Sequence, residues 1–243
     1  MLRYGIDAPG LVRGFFMGGL GLLVVAAVTH IYAFPLVGWG IAVLAIYPLG
    51  MGCLMLYESL IWKPRASKAI LNLVAWTGGE QVLDIGCGRG LMLVGAAHRL
   101  TSGMAVGIDL WRAQDQASNG PQAAIDNATL EGVANRVRVE TGDMRNLHFA
   151  DASFDVVVSN WALHNLDAKA DRAMAMAEMI RVLRPGGTVL LADIALRHEY
   201  VAALRTLGAN HVQIVVPQPV KDKLLGLVSF GSYQPSTIVA ARA

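Results

Sequence analysis

The chain has 243 residues, 54% of them hydrophobic and 16% charged, with a formal net charge of +2 and two cysteines. So small a net charge, without a long basic run, argues against nucleic acid as a partner. Cys53 and Cys87 lack the neighbour spacing of a metal site or a disulfide framework, which points to a reducing compartment and no bound metal.

No Lys, Arg, Asp or Glu occurs from Gly14 to Tyr57. A helix needs roughly 20 apolar residues to cross the hydrocarbon core, so this run is long enough for two spans. Pro35 and Gly38, in HIYAFPLVG, punctuate it, and the sequence predicts a helical hairpin with spans over about residues 12–31 and 39–57. Arg3 and Arg13 flank the first span, and Lys63, Arg65 and Lys68 follow the second. Both termini and the rest of the chain are therefore expected on the cytoplasmic side of a bilayer. Tyr32, Trp39, Tyr57 and Trp62 fall where interfacial aromatics sit. Two other readings stay open. A cleaved leader is opposed by the second apolar segment and the want of a small-residue cleavage site; a re-entrant hairpin is favoured by Pro48 and the many glycines. Gly10, Gly14 and Gly18 form overlapping GxxxG patterns through which hairpins of two copies could pack into a homo-oligomer.

Residues 1–60 are thus expected to form the hairpin and residues 61–243 a globular domain. In chain order the globular part reads as a helix over Ala66–Trp76, a strand Gln81–Ile85, a helix Leu91–Leu100 and a strand Ala105–Asp109. A helix Pro121–Glu131 follows, then strands Val137–Glu140 and Phe154–Ser159, a helix Asp171–Leu183 and a strand Thr188–Asp193. Tyr200–Gly208 reads as helix, and His211–Val216 and Ser236–Ala241 as two last strands with antiparallel pairing. This alternation predicts an α/β fold: a seven-stranded, mostly parallel, doubly wound sheet with helices on both faces.

Residues 82–90, VLDIGCGRG, place a glycine turn between a strand and a helix. The dinucleotide fingerprint is G-x-G-x-x-G and opposes a helix N-terminus to a pyrophosphate. Here Gly86, Gly88 and Gly90 are spaced G-x-G-x-G, and Asp84 stands directly ahead of them. A carboxylate there would repel a pyrophosphate and suit an ammonium group. Asp109 ends the second strand, where it could accept both hydrogen bonds of a ribose diol. Asp143 follows the third strand, where it could meet an exocyclic amine while Met144 packs on a flat base. A nucleoside with an amino-acid tail fits these positions.

VLDIGCGRG, VGIDLW, GDMRNLHF, DASFDVVVSNWALHNL and VLRPGGTVLLADI resemble, in order and spacing, the motifs of class I (Rossmann-like) S-adenosylmethionine-dependent methyltransferases, from about Leu71 onward. The resemblance implies that Gly86, Cys87 and Gly88 approach the methionine portion of S-adenosyl-L-methionine, with Asp84 as its anchor. It implies that Asp109 holds the ribose, that Leu110 packs near the adenine, that Asp143 and Met144 cap the base, and that Asn160 faces the methionine end. RPGG, Arg184–Gly187, is expected to be the turn into the fifth strand. The fourth strand ends in Ser-Asn-Trp-Ala, not in the (Asp/Asn)-Pro-Pro-aromatic pattern of exocyclic-amine DNA methyltransferases, so nucleic acid is again disfavoured.

His164 and Asp193 lie on the segments nearest the transferred methyl and are the candidates for a general base and an acceptor-orienting group. Trp161 is placed to line an acceptor pocket or to cover the sheet. The segment between Asp109 and Asn127 is expected to form a flap over the cofactor, and Leu224, Leu225, Leu227, Val228 and Phe230 an apolar cluster in a Pro217–Pro235 excursion. A hairpin ahead of this domain would keep the active site beside a bilayer and concentrate acceptors that dissolve in lipid. The expected function is methyl transfer to a lipophilic amine, phenol, quinone or thiol. The alternatives are a soluble or protein acceptor with the hairpin as anchor, and a cofactor-binding scaffold without turnover.

Overall fold

A computed structural model describes residues 4–32, 34–112, 116, 119–215, 226–227 and 235–242. The chain divides into two compact units, Met1–Pro64 with Arg112–Asn119, and Arg65–Trp111 with Gly120–Ala243.

In the first unit, α1 (Pro9–Tyr32) and α2 (Pro35–Tyr57) form an antiparallel pair. The turn expected over His30–Gly38 is shorter than the sequence suggested, because Pro35 opens α2 instead of breaking a helix. Its missing N–H costs nothing in the first turn. Gly38 lies inside α2, where a Cβ would sit 2.8 Å from the Ala26 carbonyl oxygen and 2.8 Å from His30 Cβ. Small residues let the helices approach: Gly19 faces Leu49 and Gly52 faces Phe16. A Cβ at Gly10, Gly14 or Gly18 would meet nothing within 4 Å, so these glycines do not serve the close approach of α1 to α2. Both helices are long and apolar enough to cross a membrane by length and composition. A π-helical turn, Glu58–Trp62, follows α2 and leads into α3 (Lys63–Leu71). Here the Asp7 backbone N–H donates to Ser59 Oγ at 3.2 Å and Lys63 Nζ to Asp7 Oδ1 at 2.8 Å. Gln116, which bridges Asp7 through the backbone, donates its amide to the Tyr4 carbonyl at 2.9 Å. Of the segment expected to form a flap, residues 113–115 and 117–118 lie outside the described residues and the stretch from Pro121 onward is helical; nearly all of the Pro217–Pro235 excursion also lies outside the described residues.

The second unit holds one seven-stranded sheet in the order β3-β2-β1-β4-β5-β7-β6. Its strands are β1 (Gln81–Ile85), β2 (Met104–Asp109), β3 (Val137–Thr141), β4 (Phe154–Asn160), β5 (Leu183–Asp193), β6 (Ala209–Val215) and β7 (Ser236–Arg242). The first five are parallel to one another; β7 runs antiparallel to both β5 and β6, as expected for the last two strands. The remaining helices are α4 (Leu91–Ala97), α5 (Pro121–Leu130), α6 (Lys169–Val182) and α7 (Arg197–Thr206).

Alternate residues of each strand point to opposite faces, and the core divides accordingly. Leu83, Ile85, Val106, Ile108, Val157 and Leu191 pack with Met176 and Met179 of α6 and with Tyr200 and Leu204 of α7. Val82, Ala105, Val156, Val158 and Leu190 pack with Leu71 of α3, Leu93 of α4 and Ala128 of α5. Strands buried on both faces explain runs such as FDVVVS, which are apolar without alternation.

Two expectations about this unit are corrected. The helix after Arg65 stops at Leu71, and Trp76 instead donates its indole N–H to the Leu71 carbonyl at 2.7 Å, closing the helix end. RPGG is part of β5, not a turn ahead of it: Leu183 already pairs with Phe154, and the register slips before Val156 meets Thr188. The intervening residues form a bulge, with Gly186 at φ 76° supplying its left-handed position.

Candidate active site

The parallel strands β1, β2, β3, β4 and β5 all point their carboxyl ends to one edge of the sheet, and every candidate residue sits on that edge or just beyond it. Gly86 and Gly88 follow β1 with φ of 72° and 50°, a region that side chains disfavour. At Gly86 a Cβ would also collide with Ala162 Cβ, while Met144 Cε lies 3.7 Å from the same point. The glycines therefore bring the β1 turn against the segment after β4 and against Met144.

The loop spends its amides internally. Gly86 and Cys87 N–H donate to the Ile108 carbonyl at 2.9 and 3.0 Å, Gly90 N–H to the Cys87 carbonyl at 2.8 Å, and Gly88 N–H to Asp109 Oδ2 at 2.8 Å. Such a loop does not turn those donors toward a phosphate. Asp84 is buried beneath it at 1% exposure. Burial first, and then the Asp84 and Asp109 carboxylates, push the Cys87 thiol well above its ordinary range. Cys87 is accordingly expected to stay a neutral thiol: in a Cys53→Ser background its alkylation by iodoacetamide at pH 8 should be about 100-fold slower than in the denatured chain. Equal rates folded and unfolded would contradict the buried, electronegative setting.

Asp109 also accepts the Trp111 backbone N–H at 2.7 Å through Oδ1, so two backbone donors fix its carboxylate while lone pairs remain for a diol. Leu110 beside it is 39% exposed, an apolar side chain left open at the strand end. Trp111 adopts φ 59° and donates its indole N–H to Thr141 Oγ1 at 2.9 Å, which holds the ring across the ends of β2 and β3. Asp143 carries a partner that the sequence did not reveal. Arg145 binds it in a fork, Nη2 to Oδ2 at 2.6 Å and Nε to Oδ1 at 3.0 Å, and reaches Asp171 with Nη1 at 2.9 Å.

At the other side of the edge, Asn160 ends β4 and is nearly buried, and Ser159 Oγ ties β4 to β1 by donating to the Ile85 carbonyl at 2.9 Å. Trp161 follows with φ 58°, a strained position for a bulky residue, and its N–H donates to the Ala192 carbonyl. His164 and Asp193, singled out separately in the sequence, are brought together. His164 Nδ1 lies 2.6 Å from Asp193 Oδ1, and the His164 backbone N–H donates to Asp193 Oδ2 at 3.1 Å. A carboxylate only accepts, so Nδ1 carries the hydrogen and the neutral ring offers Nε2 as its acceptor. Asp193 is 2% exposed, whereas a quarter of the His164 side chain reaches solvent. Asp193 is held further by the Ile194 N–H at 2.8 Å and by the Tyr200 hydroxyl at 3.1 Å. Sequence reasoning missed Trp111, Arg145 and Tyr200 as contributors. Among the described residues no group of three or more His, Cys, Asp or Glu is placed to hold a metal ion.

Residues 83–191 match the family model described as "Methyltransferase domain". The methyltransferase GfsG of Streptomyces halstedii is 37% identical over 133 residues, 55% of this chain and 44% of that protein. The demethylmenaquinone methyltransferase of Desulfitobacterium hafniense is 32% identical over 140 residues, 55% of this chain and 48% of that protein. The chain thus spans less than half the length of these relatives. Among solved structures, geranyl diphosphate C-methyltransferase from Streptomyces coelicolor, in complex with S-adenosyl-L-homocysteine, superposes with a TM-score of 0.61 at 17% identity. It covers 78% of this chain and 83% of that one, which shows the shared fold. The seven-stranded unit that carries the glycine loop and the His164–Asp193 pair thus has the class I, Rossmann-like fold and, over residues 83–191, is similar to a methyltransferase domain.

Proposed function

We propose that the chain is an S-adenosyl-L-methionine-dependent methyltransferase, anchored in a bilayer by α1 and α2 and acting on a lipophilic acceptor. The observation that carries the reading is the arrangement along one sheet edge. A carboxylate-lined glycine loop occupies the ends of β1 and β2, and an oriented histidine occupies the ends of β4 and β5. Asp84 and the Gly86–Cys87–Gly88 backbone would hold the amino-acid portion of the cofactor. Asp109 would hold the ribose, with Leu110, Met144 and Asp143 around the base and Asn160 near the methionine end. When bound, the cofactor supplies an electrophilic methyl group on a cationic sulfonium. His164 would take the acceptor's proton at Nε2, and Asp193 would stabilise the charge that the ring then carries. Leu163, next to His164, and Leu191, near the end of β5, belong to the core shared with α6 and α7, a packing that suits a reaction governed by alignment.

The bilayer part of the reading rests on the outer faces of the hairpin. Met17, Ile31, Leu36 and Trp39 are each more than half exposed, on helices with no charged residue between Gly14 and Tyr57. An apolar surface of that extent is stable in lipid and not in water. The residues after α2 that carry positive charge, Lys63, Arg65 and Lys68, favour a cytoplasmic catalytic domain. The globular domain is proposed to start near residue 61, and the hairpin to end near residue 60. Membranes from cells producing the full chain should retain it through an alkaline carbonate wash, with a C-terminal tag open to protease only from the cytoplasmic side. Release into the wash would exclude a spanning hairpin.

A further inference from the structure

The histidine that the proposed reaction uses is the end of a longer chain of contacts, and the far members of that chain are not explained by packing alone. Tyr200 on α7 is fully buried in an otherwise apolar cluster, yet its hydroxyl reaches Asp193 Oδ2 at 3.1 Å. Asp193 in turn receives the His164 ring at 2.6 Å and the backbone N–H groups of His164 and Ile194. The neighbour of Tyr200, Glu199, pairs with Arg172 of α6, Nε to Oε1 at 2.8 Å and Nη2 to Oε2 at 3.2 Å. Arg172, itself buried, extends Nη1 to the carbonyls of Leu166 and Asp167 at 2.6 and 2.9 Å, immediately after the turn that carries His164. One end of α7 therefore grips the histidine-bearing segment from two sides, through Arg172 at its exit and through Asp193 at the ring.

Resting on the methyltransferase reading above, we propose that Tyr200 is a positioning residue of the methyl-transfer site: its hydroxyl holds the Asp193 carboxylate so that Oδ1 faces His164 Nδ1, leaving Nε2 for the acceptor. The phenol is suited to this task. Burial, and then the neighbouring Asp193 charge, push its ionisation upward, so it remains a donor around neutral pH. Its donation also withdraws charge from Asp193. A carboxylate with one donor fewer is a stronger acceptor toward the imidazolium, so removing the hydroxyl raises the affinity of His164 for a proton. The titratable and charged groups facing this cluster, among the described residues, are His164 and Asp193, Arg172 and Lys169 on α6, Glu199 on α7 and Asp167 in the turn before α6. The Arg172–Glu199 pair makes no hydrogen bond to the Tyr200 hydroxyl, so Tyr200→Phe removes none of its contacts. The proton balance is simple. The acceptor's X–H bond breaks, its proton passes to Nε2, the electron pair of X forms the bond to the methyl carbon, and the carbon–sulfur bond of the sulfonium donor breaks to a neutral thioether. The imidazolium then returns the proton to solvent.

The test needs no knowledge of the acceptor. Full-length protein in lipid nanodiscs, with its histidines labelled by ¹⁵N, is titrated by NMR, and the His164 signals are identified by their loss in His164→Gln. Tyr200→Phe should move the His164 midpoint upward by about half to one pH unit. Chain-wide 3-fluorotyrosine, a stronger donor, should move it downward, and should do nothing in the Tyr200→Phe background. An unmoved midpoint in both would overturn the proposal and leave Tyr200 as a packing residue. If Tyr200→Phe fails to fold, the fluorotyrosine shift alone decides. Calorimetric binding of S-adenosylhomocysteine, measured on the same wild-type sample, separates the two levels: its absence would remove the methyltransferase reading, whatever the titration shows.

Discussion

Asp109→Ala is expected to weaken S-adenosylhomocysteine binding by about 100-fold or more. Two things are lost together. The carboxylate accepts the Gly88 and Trp111 backbone N–H groups at 2.8 and 2.7 Å, so it shapes the loop that receives the amino-acid portion. It is also the proposed acceptor for the ribose diol, and hydrogen bonds to a charged group contribute about 1.5–3 kcal/mol each, of which 1.4 kcal/mol is tenfold in Kd. Asp109→Asn should be nearly as damaging, because its amide must turn an NH2 toward one of the two backbone donors. The check is isothermal titration calorimetry on full-length protein in nanodiscs. A Kd within a few-fold of wild type for both variants would mean that the ribose is held elsewhere.

His164→Ala is expected to lower kcat by about 10²–10⁴-fold, the usual contribution of a positioned base, with S-adenosylhomocysteine affinity unchanged within a few-fold. Asp193→Asn should produce a loss of similar size by a different route. An amide NH2 facing Nδ1 favours the tautomer with its hydrogen on Nε2, which presents a donor where an acceptor is needed. Turnover that survives His164→Ala within about threefold would show that the acceptor ionises without help from this base, as a thiol near its own pKa does.

Much of the site was readable before any geometry, for identifiable reasons. Gly86 and Gly88 stand where the backbone turns left-handed, a demand that glycine meets and that sequence therefore records. Strands buried on both faces announce themselves as apolar runs, and antiparallel pairing of the two last strands is expected because the sequence between them carries no clear amphipathic helical pattern. Other features depend on partners distant in the chain. RPGG looks like a turn until Phe154 on β4 pairs with Leu183 and draws the segment into β5 as a bulge. Gly38 looks like a helix stop until α1 is seen lying against it. His164 and Asp193 could each be placed at a strand end, but that they meet follows from β4 and β5 being adjacent and in register. Tyr200 left no local trace, since its hydroxyl finds Asp193 only through the way α7 folds back on the sheet. Arg145 likewise reads as a surface charge until it is seen forking onto Asp143.

The most direct test follows a labelled methyl group. Full-length protein in nanodiscs is incubated with methyl-labelled S-adenosyl-L-methionine and a total extract of native cells, with Asp84→Ala in parallel, and the product is partitioned between organic and aqueous phases. Label in the organic phase that is absent with Asp84→Ala is the expected result, and mass spectrometry of that fraction then identifies the acceptor. Label confined to the aqueous or volatile fraction would contradict a lipid-dissolved acceptor and leave the hairpin as an address; no transfer at all from a protein that still binds S-adenosylhomocysteine would contradict the enzyme itself.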